Sequence, residues 1–308
     1  MGEKRPFALT KQSQGLPSPF TIFLWYAQSD MSAVTKFAKS ILPKRWAHAI
    51  TQWRLRRAIR SFPVRTVNHR YGRHDLSVRL TDTLAEGWYD HDWPEMRELV
   101  FLRQGRLQSG ARVFDLGAHQ GVVAMMLARE ISPGGHVFAV EATPHNADIA
   151  RENLALNSLA DQVTVINALV ARESGRTIAF TATLNGQVSR TGAGEHISTV
   201  TVDSLAAQFG MPDVVVIDIE GFEGEALAGA FAVLRHGAEF FVEVHVGVGL
   251  EEHSTKEAIL QVFVDHGYSC FVTPESRGDF VNWSADMPLP EERFFLIARP
   301  PFDGNNGK

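Results

Sequence analysis

The stretch that most constrains this chain is VFDLGAHQG, Val113 to Gly121, followed by VFAVEATP, Val137 to Pro144. A short apolar run ends in Asp115, the chain turns on Gly117 and Gly121, and a helical stretch leads to a second apolar run ending in Glu141. That order predicts a βαβ unit able to hold a nucleoside. A glycine in the turn lets backbone approach a ligand that a Cβ would exclude, and a helix starting near Val122 aims its free N–H groups at the same place. A carboxylate closing the second strand can accept hydrogen bonds from both ribose hydroxyls, and Glu141 is that carboxylate.

The turn reads D-x-G-x-x-x-G, whereas a dinucleotide site wants G-x-G-x-x-G with a helix start under the pyrophosphate. No pyrophosphate is implied. An adenosine ligand that carries a cation is better served by Asp115 near the turn and Glu141 on the ribose, and S-adenosylmethionine fits that description. The candidate cofactor-binding residues are therefore Asp115, Gly117, Ala118, His119, Gly121 and Glu141. Asn167 and Ala168, at the end of a third predicted strand (Val163 to Ala171), join them beside the adenine. The plainer alternative is an ordinary α/β nucleotide fold with a glycine turn.

With 308 residues, 44% hydrophobic and 21% charged, the chain is long enough for one large α/β domain and an extension. Its single cysteine, Cys270, excludes an intrachain disulfide, and no Cys/His cluster has zinc-ligand spacing, so the cytoplasm is the expected compartment. The net charge of −5 is unevenly divided: residues 1 to 75 carry 14 Lys/Arg against 3 Asp/Glu, and the remainder carries 16 against 32. A basic arm on an acidic body can face an anionic surface, a partner or its own body. A basic body and interleaved RNA-reading aromatics are both missing, which argues against nucleic acid as a partner.

Residues 1–32 read as an extension, with Met31 an alternative start and Phe20 to Ala27 too short to cross a bilayer. Residues 33–60 read as two helices broken at Pro43. Trp46, Ala49, Ile50 and Trp53 form one face, and Lys44, Arg45, Arg54, Arg56, Arg57 and Arg60 load the rest. Such a helix can rest on an anionic membrane as a peripheral contact, while packing of its Trp face on the acidic body is the favoured reading. Weak alternation from Arg65 to Leu84 around Gly72 predicts a β-hairpin, which completes an N-terminal region over 33–84. The main domain is expected over 85–300, with a tail at 301–308. At its start, GWYDHDWPEMREL (Gly87 to Leu99) sets two tryptophans and a tyrosine among carboxylates, as a sugar or polyol site does and as a structural cap also would. Trp88 and Tyr89 are its candidate substrate contacts.

Further along, VVVIDIEG predicts a central strand from Val214 to Glu220 with Asp218 and Glu220 at its end, then a helix from Glu223 to Leu234. EFFVEVHVG predicts a fifth strand with Glu243 and His245 on one face. Ligands of open α/β sheets bind beyond the carboxyl ends of the strands, so these acids should share a crevice with Asp115 and Glu141. The polar loop LNGQVSRTGAGEH, Leu184 to His196, has the length and glycine content to fold over a substrate. The last two predicted strands, Tyr268 to Thr273 and Arg293 to Arg299, look antiparallel.

Four ordered motifs, DLGAHQG at Asp115, EATP at Glu141, IDIEGFE at Ile217 to Glu223 and EVH at Glu243 to His245, together resemble the FkbM-type methyltransferases. The resemblance covers about residues 85 to 300. It implies a class I, Rossmann-like methyltransferase fold: an α/β protein with a seven-stranded, mostly parallel sheet whose last strand is antiparallel. It also implies S-adenosylmethionine as donor and O-methylation of a hydroxyl, with a small molecule, glycan or secondary metabolite as acceptor. The chain departs from the pattern at His119, where the family often has Asn, and at Val216, where it often has Lys.

The acceptor's proton must leave as the methyl arrives, because an alcohol does not ionise near neutral pH. His245, Asp218 and Glu220 are the candidate catalytic residues, with Glu243 as an orienting or substrate-binding partner. His245 has the ordinary pKa best suited to a base at neutral pH. Asp218 and Glu220 could instead hold a divalent cation, the less favoured reading, their simpler roles being to pair with the donor's ammonium or to cap the next helix. A catalytically silent adaptor with a nucleotide fold is the competing class, against which the intact donor set argues; the glycine turn argues against a dehydrogenase. Composition and motifs leave the oligomeric state open.

Overall fold

The computed structural model describes residues 57, 59–180, 195–247, 250, 253–274 and 278–301. The basic amphipathic segment falls almost wholly outside these residues, as does most of the polar loop at 184–196. One compact unit, Ala58–Lys308, holds all the elements described below.

The opening strands β1 (Arg65–Tyr71) and β2 (His74–Leu80) pair antiparallel in full register about a two-residue turn, with Gly72 at φ +60°. The expected hairpin is therefore present. The edge of β2 is held by a helix rather than by another strand. Asn157 accepts from the Ser77 N–H and donates to the Ser77 carbonyl, at 2.9 and 2.7 Å, and Asn153 accepts from the Arg79 N–H at 2.7 Å. These two carboxamides, four apart and so on one helical face, satisfy backbone groups that a neighbouring strand would otherwise pair. Two short helices follow, α1 (Thr83–Tyr89), capped by the Asp82 carboxylate, and α2 (Arg97–Leu102).

The main sheet then begins. Its parallel part comprises β3 (Arg112–Leu116), β4 (His136–Glu141), β5 (Val163–Asn167), β9 (Val214–Ile217) and β10 (Glu239–Val244), with α3 (Val122–Glu130) and α4 (Pro144–Leu156) as crossovers. Between β5 and β9, a small sheet of β6 (Leu169–Val170), β7 (Thr177–Phe180) and β8 (Glu195–Val200) leads to α5 (Val202–Phe209). After β9 come α6 (Glu223–Ala228) and α7 (Phe231–His236), and after β10 come α8 (Lys256–Asp265), β11 (Ser269–Pro274), the two-residue β12 (Val281–Asn282) and β13 (Phe294–Arg299). The spatial order is β12-β11-β13-β10-β9-β3-β4-β5, and β13 lies antiparallel between β10 and β11. This is the class I methyltransferase arrangement, a seven-stranded sheet with an antiparallel final strand, carrying β12 as an eighth on its edge.

All four side chains of β9 are buried, as are Val113, Phe114 and Leu116 of β3, because helices cover both faces of the sheet. Each such side chain contributes roughly 1.5–3 kcal/mol. Three local expectations change. The strand predicted from Val163 to Ala171 splits at Ala168, whose N–H donates to the Glu141 carbonyl, into β5 of the main sheet and β6 of the small one. The helix predicted from Glu223 to Leu234 is two helices: at Gly229 a Cβ would meet the Ala171 carbonyl at 2.8 Å, and the Asp203 carboxylate accepts the Ala232 and Val233 N–H groups to start α7 afresh. The strand predicted to reach Glu220 stops at Ile217, because Glu220 and Gly221 take left-handed conformations (φ +48° and +94°) and turn the chain into α6. No helix among the described residues is long and apolar enough to cross a membrane.

Asn153 is fully buried and also donates to the Gln120 carbonyl at 2.9 Å, so it joins the hairpin to the loop after β3. Asn153→Ala strands a backbone donor and a backbone acceptor and is expected to cost about 2–4 kcal/mol in urea unfolding. A loss below about 0.5 kcal/mol would show that water replaces the carboxamide.

Candidate functional site

The site is built where β3, β4 and β9 end side by side. Asp115 pairs in register with Ala139 of β4 and Val216 of β9, and the Asp218 N–H donates to the Leu116 carbonyl at 2.9 Å. The residue after β3, Gly117, lies so close to the chain leaving β9 that a Cβ there would sit 1.7 Å from the Asp218 carbonyl oxygen, and its φ of +97° favours glycine as well. The Gly117 and Ala118 N–H groups both reach the Val140 carbonyl, at 2.9 and 3.1 Å, which folds the turn back over β4.

Glu141 braces that turn. It is 5% exposed, and its two carboxylate oxygens accept the His119 N–H at 3.0 Å and the Thr143 N–H at 2.7 Å. His119, at φ +47°, directs Nδ1 to the Tyr89 hydroxyl at 2.8 Å and its ring toward Trp88, with centroids 5.0 Å apart. Helix α3 starts from Gly121 at φ +82°, where a Cβ would press on Ala150 of α4. Burial raises the Glu141 carboxyl above its ordinary value, against the opposing N–H donors.

Two adjoining cavities open at these strand ends. The first is lined by Gly117, His119, Glu141, Ala142, Ala168 and Phe222, among others. The second, of about 360 Å³, is lined by Asp115, Ala118, Phe241, Glu243, Arg293 and Phe295, among others. Trp88, Gly117, His119, Asp218 and Glu220 line both and form their common wall. Of the sequence-predicted residues, Glu141 and Ala168 face the first cavity, and Asp115, Ala118, Tyr89 and Glu243 face the second. Asn167 turns its amide away, donating to the Glu141 and Ala142 carbonyls at 2.8 and 3.1 Å. Tyr89 is 5% exposed and supports His119, so Trp88, at 39%, is the more available of the two aromatic residues.

His245 does not line either cavity. It is fully buried behind the acids, with Nδ1 2.6 Å from Glu223 Oε1, which also accepts the Gly221 N–H at 3.0 Å. Its Nε2 lies 3.5 Å from Asp218 Oδ1, 3.5 Å from Glu243 Oε1 and 3.8 Å from Glu220 Oε2. Burial by itself would lower the His245 pKa, but Glu223 above all, then Glu243 and Glu220, leave it raised. Asp218 is half-exposed to the cavities. Desolvation in the cleft, then the charges of Glu220, Glu223 and Asp115, raise its carboxyl above the usual range, with Arg293 opposing.

Sequence reading missed Arg293, whose Nη1 donates to Glu243 Oε1 at 3.0 Å, and the roles of Glu223, Phe241 and Phe295. Glu223 was visible in the IDIEGFE motif. Nothing in spacing points from Glu243 to an arginine fifty residues away.

The residues fit S-adenosylmethionine on one observation: Asp115 is 2% exposed with Oδ2 lacking a hydrogen-bond partner, an orphaned acceptor suited to a cationic ligand. Burial, with Glu141 adding to it, pushes the Asp115 carboxyl up to about 7. Because the folded value lies above the unfolded one, near 3.8, the folded protein holds a proton that the unfolded chain has released between about pH 4 and pH 7. Stability without ligand therefore falls as pH rises through that window and levels off above it. Asp115→Asn is expected to exceed the wild type at pH 8 by up to about 4 kcal/mol in thermal unfolding, and to match it near pH 4. The same offset at both pH values would refute this assignment.

Comparison with known proteins bears on the same residues. The family model described as the methyltransferase FkbM domain matches residues 115–270. Ribosomal protein L11 methyltransferase of Pelobacter propionicus is 49% identical over 93 residues, covering 29% of this chain and 29% of that protein. Protein-L-isoaspartate O-methyltransferase of Aeropyrum pernix is 42% identical over 59 residues, covering 19% and 23%. The chain thus spans less than a third of the length of these curated relatives. The crystal structure of methyltransferase FkbM from Methylobacillus flagellatus aligns with a TM-score of 0.44 and 15% identity, over 62% of this chain and 44% of that one. The match runs from the first acid of the glycine turn through β9 and β10, and so takes in the donor turn and the acidic cluster: the chain belongs to the FkbM family of S-adenosylmethionine-dependent methyltransferases.

Proposed function

We propose that this methyltransferase acts on a hydroxyl of a sugar, glycan or secondary metabolite, with the adenosine part of the donor in the first cavity and the acceptor in the second. The observation that carries this reading is the common wall. A methyl group passing between ligands in the two cavities crosses it beside Asp218 and Glu220. The second cavity offers aromatic faces from Trp88, Trp93, Phe241 and Phe295 and polar groups from Glu243 and Arg293, a mixture suited to an acceptor with an apolar face and hydroxyl edges.

S-adenosylmethionine supplies the electrophilic methyl group. Glu141 and the Gly117 turn position the nucleoside, and Trp88 covers the reacting atoms from bulk water. With the donor bound, an acceptor oxygen would be placed for in-line attack, and Asp218, whose carboxyl desolvation above all and then the charge of Glu220 make a stronger base, would take its proton. His245, buried behind these two acids and anchored on Glu223, is the residue that positions them.

Calorimetric titration with S-adenosylmethionine is expected to show binding that Glu141→Ala weakens at least about tenfold, the loss of the ribose contact and of the turn's brace. Labelled-methyl transfer to hydroxylated acceptors is then expected to give a base-stable methyl ether. A methyl ester or an N-methyl product would overturn the hydroxyl assignment. Asp218→Asn is expected to lower turnover about 10²- to 10⁴-fold while donor affinity changes less than about threefold.

A further inference from the structure

Carboxylates crowd one histidine at the strand ends. Asp218, Glu220, Glu223 and Glu243 surround the imidazole of His245, and Arg293 pairs with Glu243. His245 decides what such a cluster is for. Its Nδ1 faces two acceptors, Glu223 Oε1 at 2.6 Å and the Glu243 carbonyl at 3.1 Å, so Nδ1 carries the hydrogen. Its Nε2 is buried and makes no hydrogen bond, although three carboxylates face it. An N–H at Nε2 would be expected to close on one of those oxygens to about 2.8 Å, and the two nearest stand off at 3.5 Å. A proton on Asp218 directed at Nε2 would close the gap in the same way. Nε2 and the carboxylate oxygens that face it call for a positive charge between them, a ring proton or a metal ion, and the 3.5 Å stand-off leaves room for the ion.

We propose that Nε2 of His245, a carboxylate oxygen of Asp218 and one of Glu243 bind a divalent cation, Mg²⁺ or Mn²⁺, at the floor of the second cavity. The three ligand atoms lie within 4.8 Å of one another. Donors held roughly 2.1 Å from a common ion in an octahedral shell lie about 3 to 4 Å apart, which matches the two distances from Nε2, 3.5 Å each to Asp218 and Glu243. Two carboxylates with one imidazole form a mostly hard donor set, which favours Mg²⁺ and Mn²⁺ over soft ions. Glu223, fully buried and fixed by the Gly221 N–H, is the carboxylate that orients a metal-bound histidine from its far nitrogen. The remaining coordination positions open toward the cavity through Asp218 and Glu243, so an acceptor hydroxyl can enter as an oxygen ligand and lose its proton more readily, to Glu220, with Asp218 then a ligand rather than the base. That use of the ion rests on the hydroxyl reading above; the site itself does not.

Mn²⁺ is the probe. Titrated into the full chain without donor or acceptor and followed by electron paramagnetic resonance, it is expected to bind at one site with sub-millimolar affinity and to show, in the pulsed spectrum, coupling to one imidazole nitrogen. Asp218→Asn and His245→Gln are each expected to weaken binding at least about tenfold, His245→Gln to abolish the nitrogen coupling, and Glu223→Gln to cost about 10- to 100-fold. No binding at 1 mM Mn²⁺ in the wild type, or bound Mn²⁺ without nitrogen coupling, overturns the proposal. Both readings come from the unaltered protein and survive any failure of a variant to fold. Donor binding measured in chelator separates the two ideas: donor binding without Mn²⁺ binding removes only the cation, and Mn²⁺ binding without methyl-ether formation removes only the hydroxyl reading.

Discussion

The contact on which the site depends is the approach of Gly117 to the Asp218 carbonyl. Two parallel strands end at one level and their chains turn away without a side chain between them. A glycine is required there twice over, by the space and by the left-handed backbone. That closeness brings Asp115, from the first strand of the sheet, into the same cleft as Asp218, about a hundred residues later in the chain, and it gives the two cavities their common wall.

Concentrating carboxylates at the ends of buried strands is costly, and the fold offsets the cost in different ways at different positions. Glu141 is satisfied by two backbone N–H groups and braces the turn. Glu239, fully buried at the start of β10 on the opposite side of the sheet, is satisfied by Arg299 at 2.8 Å and the Arg106 N–H at 2.7 Å. Asp115 Oδ2, Glu223 Oε2 and His245 Nε2 are buried without a hydrogen bond. Buried polar groups without partners are rare because each costs on the order of 1–3 kcal/mol, and they collect where a ligand completes them. Glu239 and Asp115 therefore differ in that the first has its partners within the fold and the second has an oxygen left without one.

Hydrogen bonding also reassigns individual side chains. Histidine at the end of a strand reads from sequence as an exposed base, yet His245 is enclosed and anchored from one nitrogen, which makes it a support for the acids in front of it. Asn167, expected beside the adenine, spends its amide on the backbone of the strand before it. In the other direction, Asn153 and Asn157 look like unremarkable helix residues, and they finish the edge of a hairpin eighty residues upstream.

What the amino-acid order determined by itself was local and periodic. Apolar runs of strand length ending in acids, glycines at the turn and a helix between them were sufficient for the βαβ unit and the class of sheet, because each depends on neighbours within about thirty residues. Tertiary structure alone decided where β9 stops and α6 begins, that the helix after it breaks at Gly229, that Arg293 meets Glu243, and which face of His245 is left bare. Those outcomes turn on distances between backbone and side chains far apart in the chain. A few tenths of an ångström there separate a made hydrogen bond from an open ligand position, and no spacing in the sequence encodes that.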